Sequence, residues 1–278
     1  MSRPDDDPAI AAHSRREGFL VGAAIGAALA AGGPAPSGRR RAPIALADPL
    51  LDELLAGGVD LRRLGQRWVA WHRDDGLDAD PMLGLALQHL AEFDAPTDQL
   101  PQASVAVVAA ALPAALAAAS PRAMVSGTFH VARMLDPRPT TGLVAVAVVV
   151  AAAAFLEGRR DAVPEAVTLL RANDAPADLV DTFRAVARDR HLVPATPTGL
   201  NPDPAAVAAW ALGALERHSH SVDALANLPL AGVGPVAGAL LGALAGARDG
   251  TSSWPAEWFD AGGEDVPRRR TIAQRLGG

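Results

Sequence analysis

The chain has 278 residues, is 50% hydrophobic and 20% charged, and carries a formal net charge of −6. It has no cysteine, no tyrosine and no lysine, since all 25 of its basic residues are arginine. These absences exclude a disulfide frame, a thiol nucleophile, Schiff-base chemistry and a P-loop lysine. Weak acidity with only 4% aromatic residues also argues against nucleic acid, which calls for a basic field and stacking platforms.

In chain order, residues 1–12 are Asp- and Pro-rich with no apolar period and read as a disordered tail. A globular domain is expected over 13–262. Gly18–Ala31 reads as a helix, and Gly32–Pro43 as a Gly/Pro/Arg loop. Asp48–Leu55 is helical and stops at Gly57-Gly58. Asp60 caps a helix over Leu61–Arg73 whose Leu61, Leu64, Trp68 and Trp71 share one face. An acidic loop, Asp74–Asp80, precedes a helix over Pro81–Phe93 with Pro81 in its first turn.

Ala103–Ala119 is apolar and predicted to kink at Pro113. A further helix falls in 120–135, and Gly142–Leu156 is an uninterrupted apolar run. Fifteen residues is short of the roughly twenty that a membrane span needs, so no membrane partner and a cytoplasmic location are expected. Pro164–Ala172 and Pro176–Asp189 are amphipathic. Asn201–His218 opens with a capping Asn or Asp and a Pro, Asp223–Leu228 is short, and Pro235–Ala247 is apolar. Residues 263–278, with Arg268–Arg270, read as a polar tail. Alanine runs favour helix throughout and no strand is convincing. The predicted fold is all-α, a single orthogonal multi-helix bundle.

Gly18, Gly22 and Gly26 recur every fourth residue, as do Gly238, Gly242 and Gly246. Each set lies on one helix face. Glycine costs a helix about 1 kcal/mol per residue against alanine, so three in register imply a compensating close approach. The first and last long helices are therefore expected to cross through these faces.

The segment from Gly18 to Leu29 resembles the opening helix of the ADP-ribosylglycohydrolase family, G-x-x-x-G-A-A-x-G-D-A-L-G. Val236–Gly250 is similar to that family's closing stretch, A-G-A-L-A-G-A-R-x-G, and Trp254–Trp258 to the P-x-x-W that follows. The resemblance implies an all-α fold with a cleft for two Mg²⁺ ions and cleavage of the N-glycosidic bond between ADP-ribose and a modified side chain. The departures fall on that chemistry. Ala27 stands at the family's aspartate. Arg41-Ala42-Pro43-Ile44 stands near the place of T-D-D-T, and Gly232–Val236 in the place of G-G-D-x-D-T. The N-G-x-x-M-R segment has only the aliphatic stretch Ser104–Ala111, and Met134-Leu135 replaces T-H. Two Mg²⁺ ions about 4 Å apart repel by roughly 17 kcal/mol even at an effective dielectric of 20. Several carboxylates would have to offset that repulsion. No cofactor is therefore expected: the family's Mg²⁺ pair is predicted absent, and no metal ligand or catalytic residue is assigned.

Asp48, Asp52 and Glu53 are the candidate ligand-binding residues of a residual cleft, set against a solvated helix face. The Asp74, Asp75, Asp78 and Asp80 loop lacks the glycine and terminal glutamate of an EF-hand. His218 and His220 suit a helix C-terminus better than a metal, and spacing alone makes no triad of His130. Arg39–Arg41 could meet an anion. Three functions are consistent with this pattern: a non-catalytic binding or regulatory module taking an ADP-ribose-like ligand or a protein partner, a hydrolase using repositioned carboxylates such as Asp48, Asp52 and Glu53, and a purely structural or partner-binding helical protein.

Overall fold

The computed structural model describes residues 8–33, 41–75, 80–117, 120–189, 194–199 and 201–277. Among these the secondary structure is helical throughout. The helices are α1 (Pro8–Ala30), α2 (Ala42–Leu55), α3 (Leu61–Asp75), α4 (Pro81–Phe93), α5 (Ala106–Ala111), α6 (Pro121–Arg133), α7 (Pro139–Leu156), α8 (Ala162–Ala172), α9 (Ala177–Arg188), α10 (Pro204–Arg217), α11 (Ser221–Ala226), α12 (Leu228–Ala231), α13 (Pro235–Asp249), α14 (Ala256–Gly262) and α15 (Asp265–Gly277).

Local chemistry sets several boundaries, at Asp60 and Asp203 as the sequence predicts and at Asp80, which the sequence places in an acidic loop. Asp60 accepts from Arg63 N at 3.0 Å, Asp80 from Met82 N at 2.7 Å and Asp203 from Ala206 N at 2.9 Å, each satisfying a free donor of the first turn. The kink at Pro113 takes the form of a 3-10 turn, Leu112–Leu116, continuing α5.

The core is built around α1, α7 and α13. In α7 every residue from Val144 to Phe155 is buried. This helix is long and apolar enough to cross a membrane, yet 78% of it lies inside the protein. Helices α6, α8 and the α5 turn pack around it. Helices α1 and α13 run antiparallel with their glycines interleaved: Gly18 faces Gly246, Gly22 faces Gly242, and Gly26 faces Gly238. A Cβ on any of the six would fall under 3.0 Å from facing backbone atoms. The two glycine faces form one backbone-to-backbone seam, as their spacing predicts.

Three segments differ from the sequence reading. α1 begins at Pro8, ten residues before the glycine face. Its polar first half has tertiary work, with Arg15 donating to the Leu156 carbonyl at the end of α7 and Glu17 pairing with Arg270 at 2.9 Å. α2 begins at Ala42 and continues through Pro49. An interior proline costs about 3 kcal/mol, offset here by burial of Ile44, Leu46, Leu50 and Leu51. The segment over 263–278 read as a polar tail is instead α15, which packs on α1 and α2 through Val266, Ile272 and Ala273. Its arginines are held by acids far back in the chain, and no local sequence pattern shows that.

Candidate functional site

Where α1, α2 and α13 converge, Ala24, Ala27, Ile44 and Ala239 form a small apolar cluster of their own. α5 closes one side, with every residue from Val105 to Ala111 buried. The remaining space is a cavity of about 20 Å³ bordered by Ala23, Pro43, Ile44, Ala109, Ala239 and Arg269. That is room for one water. This junction gathers three of the segments singled out in the sequence: the opening glycine helix, the 41–44 turn and the Ser104–Ala111 stretch.

The one charged group at this cavity comes from α15. Arg269 is 2% exposed, donates from Nη2 to the Ile44 carbonyl at 2.7 Å and pairs with Asp48 Oδ1 at 2.5 Å. Arg268 takes the other carboxylate oxygen of Asp48 at 3.0 Å. Among the described residues the Nε of Arg269 has no hydrogen-bond partner. Burial pushes its guanidinium from 12.5 down to about 10, a shift that Arg268 reinforces and that Asp265 and Asp52 oppose. Arg41 donates to the Gly33 carbonyl. Burial lowers its pKa as well, again opposed by Asp265.

The three predicted cleft carboxylates do not converge. Asp48 is buried and faces α15. Asp52 is 42% exposed and pairs with Arg67 at 3.1 Å. Glu53 is fully buried at the end of α2. It accepts from Arg63 Nε at 2.7 Å and Nη2 at 2.6 Å and from Asp60 N at 3.1 Å, and it pairs with Arg67 at 3.0 Å. Hydrogen bonding from Arg63 holds the Glu53 carboxyl below its usual range against the opposing effect of burial, with Asp60 N, Arg63 and Arg67 adding to the lowering. Glu53 thus clamps the end of α2 to the start of α3, the opposite setting from that of a general acid, whose pKa must rise.

The remaining candidates have local or structural partners. Asp80 caps α4 and accepts from Ser104 Oγ at 2.8 Å. Asp74 and Asp75 end α3, and Asp78 lies outside the described residues. His130 bonds through Nδ1 to the Ser126 carbonyl of its own helix at 2.7 Å on an exposed face. Arg39 and Arg40 are outside the described residues. A groove of about 730 Å³ beside His218 is lined by Arg160, Arg217 and Arg248. Arg248 there donates to the Leu215 carbonyl near the end of α10 and pairs with Asp249, as does Arg160. A second groove of about 770 Å³, with Met124, Val125, Leu156 and Leu169 among its lining, lies between α6, α7 and α8. Sequence periodicity shows neither groove, because each forms only where several helices meet.

A buried carboxylate, Asp136, organises the Asp-Pro-Arg-Pro turn before α7, a turn legible in the sequence although the sequence assigns no role to its acid. It accepts from Thr141 Oγ1 at 2.9 Å, Arg138 N at 2.9 Å and Ser104 N at 3.4 Å, and it pairs with Arg138. The Asp-Pro-Arg-Pro turn in the sequence is the signal that could have found it.

Fold and junction together define an all-α scaffold of the ADP-ribosylglycohydrolase type. A solved structure described as an "ADP-ribosylglycohydrolase-related protein complex" matches with a TM-score of 0.76 over 95% of this chain and 97% of that one, at 20% sequence identity. The family model for ADP-ribosylglycohydrolase matches residues 8–277. The chain belongs to the ADP-ribosylglycohydrolase family. No curated protein matches it.

The resemblance implies a pair of divalent ions at this junction, and the residues present do not fit one. Such ions need oxygen donors. Ala27, Pro43, Ile44 and Ala239 supply methyl and methylene groups, and Arg269 supplies a positive charge. Among the described residues no group of three His, Asp or Glu side chains could hold a metal ion.

Proposed function

We propose that this chain is a family member without the hydrolase's metal chemistry, working as a binding or regulatory module in the cytoplasm. The observation that carries this reading is the junction itself, where Ala27 and Pro43-Ile44, at positions for which the family resemblance expects carboxylates, lie among aliphatic side chains and a buried guanidinium. Drift at an unused site proceeds in this direction, since an unpaired buried carboxylate is costly and an apolar replacement is not. Asp48, Asp52 and Glu53 are each engaged by arginine, which argues against a hydrolase built on repositioned acids. The ligand expected of the module is ADP-ribose-like. Incubation with an ADP-ribosylated protein, with Mg²⁺ and with EDTA, tests the reading. No release of ADP-ribose above the no-enzyme control is expected in either condition, and Mg²⁺-dependent release abolished by EDTA overturns it.

A protein partner is the second reading, favoured by the exposed apolar side chains Leu85 and Phe93 on α4 together with Val59 and Leu61 at the start of α3. Leu85 and Phe93 are eight residues apart and share one helix face. Calorimetric titration with ADP-ribose separates the two: saturable heat supports the ligand reading, and its absence shifts the weight to a partner.

A further inference from the structure

Arg269 presents a physical puzzle. Arginine is among the residues least often buried, and this one is 2% exposed, has an Nε without a partner among the described residues and borders an apolar cavity. Desolvating such a charge costs several kcal/mol, and a well-packed apolar pair of similar volume is often at least as stable as a buried ion pair. Stability alone does not explain a positive charge at the junction where the family resemblance expects cations.

The surroundings suggest what the charge does. One carboxylate of α2 contacts this end of α15, another lies at longer range, and a third belongs to the first turn of α15 itself. Asp48 is in direct contact through both oxygens, and Asp265 and Asp52 act on Arg269 at longer range. The other cations there are Arg268, on the second oxygen of Asp48, and Arg41, beside Asp265. Arg269 also binds the Ile44 carbonyl in the first turn of α2. One guanidinium thus neutralises acidic oxygen and ties α15 to α2 at the α1–α2–α13 junction, work that a divalent ion performs where carboxylate ligands surround it.

We propose that the guanidinium of Arg269 is the resident cation of this junction, a charge supplied by the chain's own C-terminal helix that takes the structural place of divalent metal and closes the centre to it. The inference rests on the metal-free reading of the site. It adds that the charge of residue 269, rather than its volume, holds α15 in place.

Urea unfolding of the full chain and three variants separates charge from volume. Arg269→Met keeps most of the volume and removes the charge, leaving Asp48 with Arg268 alone. Arg269→Lys keeps the charge with a single donor head, and Asp48→Asn leaves the cation without its anion. The unfolding equilibrium constant is expected to rise by about 10²- to 10³-fold in Arg269→Met and in Asp48→Asn, the range for breaking a buried pair. Arg269→Lys should recover at least tenfold of the Arg269→Met loss. An Arg269→Met protein as stable as, or more stable than, Arg269→Lys overturns the inference, because volume then suffices. Should Arg269→Met fail to fold, the comparison passes to Arg269→Lys against Asp48→Asn. The lysine variant must be the more stable of the two, and the reverse order overturns the inference. None of these outcomes depends on whether the protein releases ADP-ribose, so failure here and failure of the proposed function are separately visible.

Discussion

Replacing Gly242 with alanine tests the seam on which the bundle is built. On an exposed helix the change would stabilise by about 1 kcal/mol, because alanine is the better helix former. Here the new Cβ meets the carbonyl oxygen and carbon of Gly22 and the Cα of Gly26, all under 3.0 Å away and all backbone. None can rotate aside, so α1 and α13 must part. A radial gap of 0.5–1 Å forfeits roughly a quarter to a half of each facing dispersion contact, and overpacking of a filled core costs about 1–3 kcal/mol or more. Backbone at each of these contacts puts the cost at the top of that range, so net of propensity Gly242→Ala should destabilise by about 2 kcal/mol, or about 4–8 °C in Tm for a chain of this size. Gly127 supplies the control. It lies within α6 on an exposed face, with nothing within 4 Å of the point where a Cβ would stand, so Gly127→Ala should stabilise by up to about 1 kcal/mol. Urea titration followed by circular dichroism at 222 nm reads both. A Gly242→Ala protein within about 0.5 kcal/mol of wild type would refute the argument that backbone contact along the seam organises the fold.

Glu53 predicts a pH dependence. Its folded-state pKa is lowered, so its contribution is fully present above the unfolded value near 4.5 and is lost as pH falls through the folded value. The gap in urea midpoint between wild type and Glu53→Gln should be constant from pH 5 to 7 and shrink steadily below about 4.5, and a gap that widens on acidification contradicts the clamp. Asp136→Ala should cost about 1–3 kcal/mol, since it removes the acceptor of the buried Thr141 hydroxyl and one partner of Arg138, which keeps its bond to the Leu100 carbonyl. A loss below 1 kcal/mol in the same assay would show that the turn before α7 is held by other contacts.

What was legible in the sequence is what depends on near neighbours. Glycines spaced by four, acids one residue before a helix, and a fifteen-residue apolar run each report on a single element. The seam, the caps of α3 and α10, and the buried α7 all follow from them. What was not legible depends on partners distant in the chain. Three successive arginines at 268–270 look like a solvated tail until Asp48, Ile44 and Glu17 are placed against them. Pro49 looks like a helix breaker until burial on both sides outweighs its missing donor. The candidate carboxylates were found as residues, yet their roles were set by arginines: Asp48 faces α15 and Glu53 clamps α3. The departures from the family pattern at Ala27 and Pro43-Ile44 were readable by resemblance, whereas the guanidinium that borders the same cavity was not.

The central claim is that an ADP-ribosylglycohydrolase scaffold here carries a junction lacking the oxygen donors of a divalent pair. Titration of Mn²⁺ into the full-length protein, followed by water-proton relaxation, addresses it most directly. The account predicts no stoichiometric binding site and a relaxation rate that tracks free Mn²⁺. Two tightly bound ions per chain would contradict it.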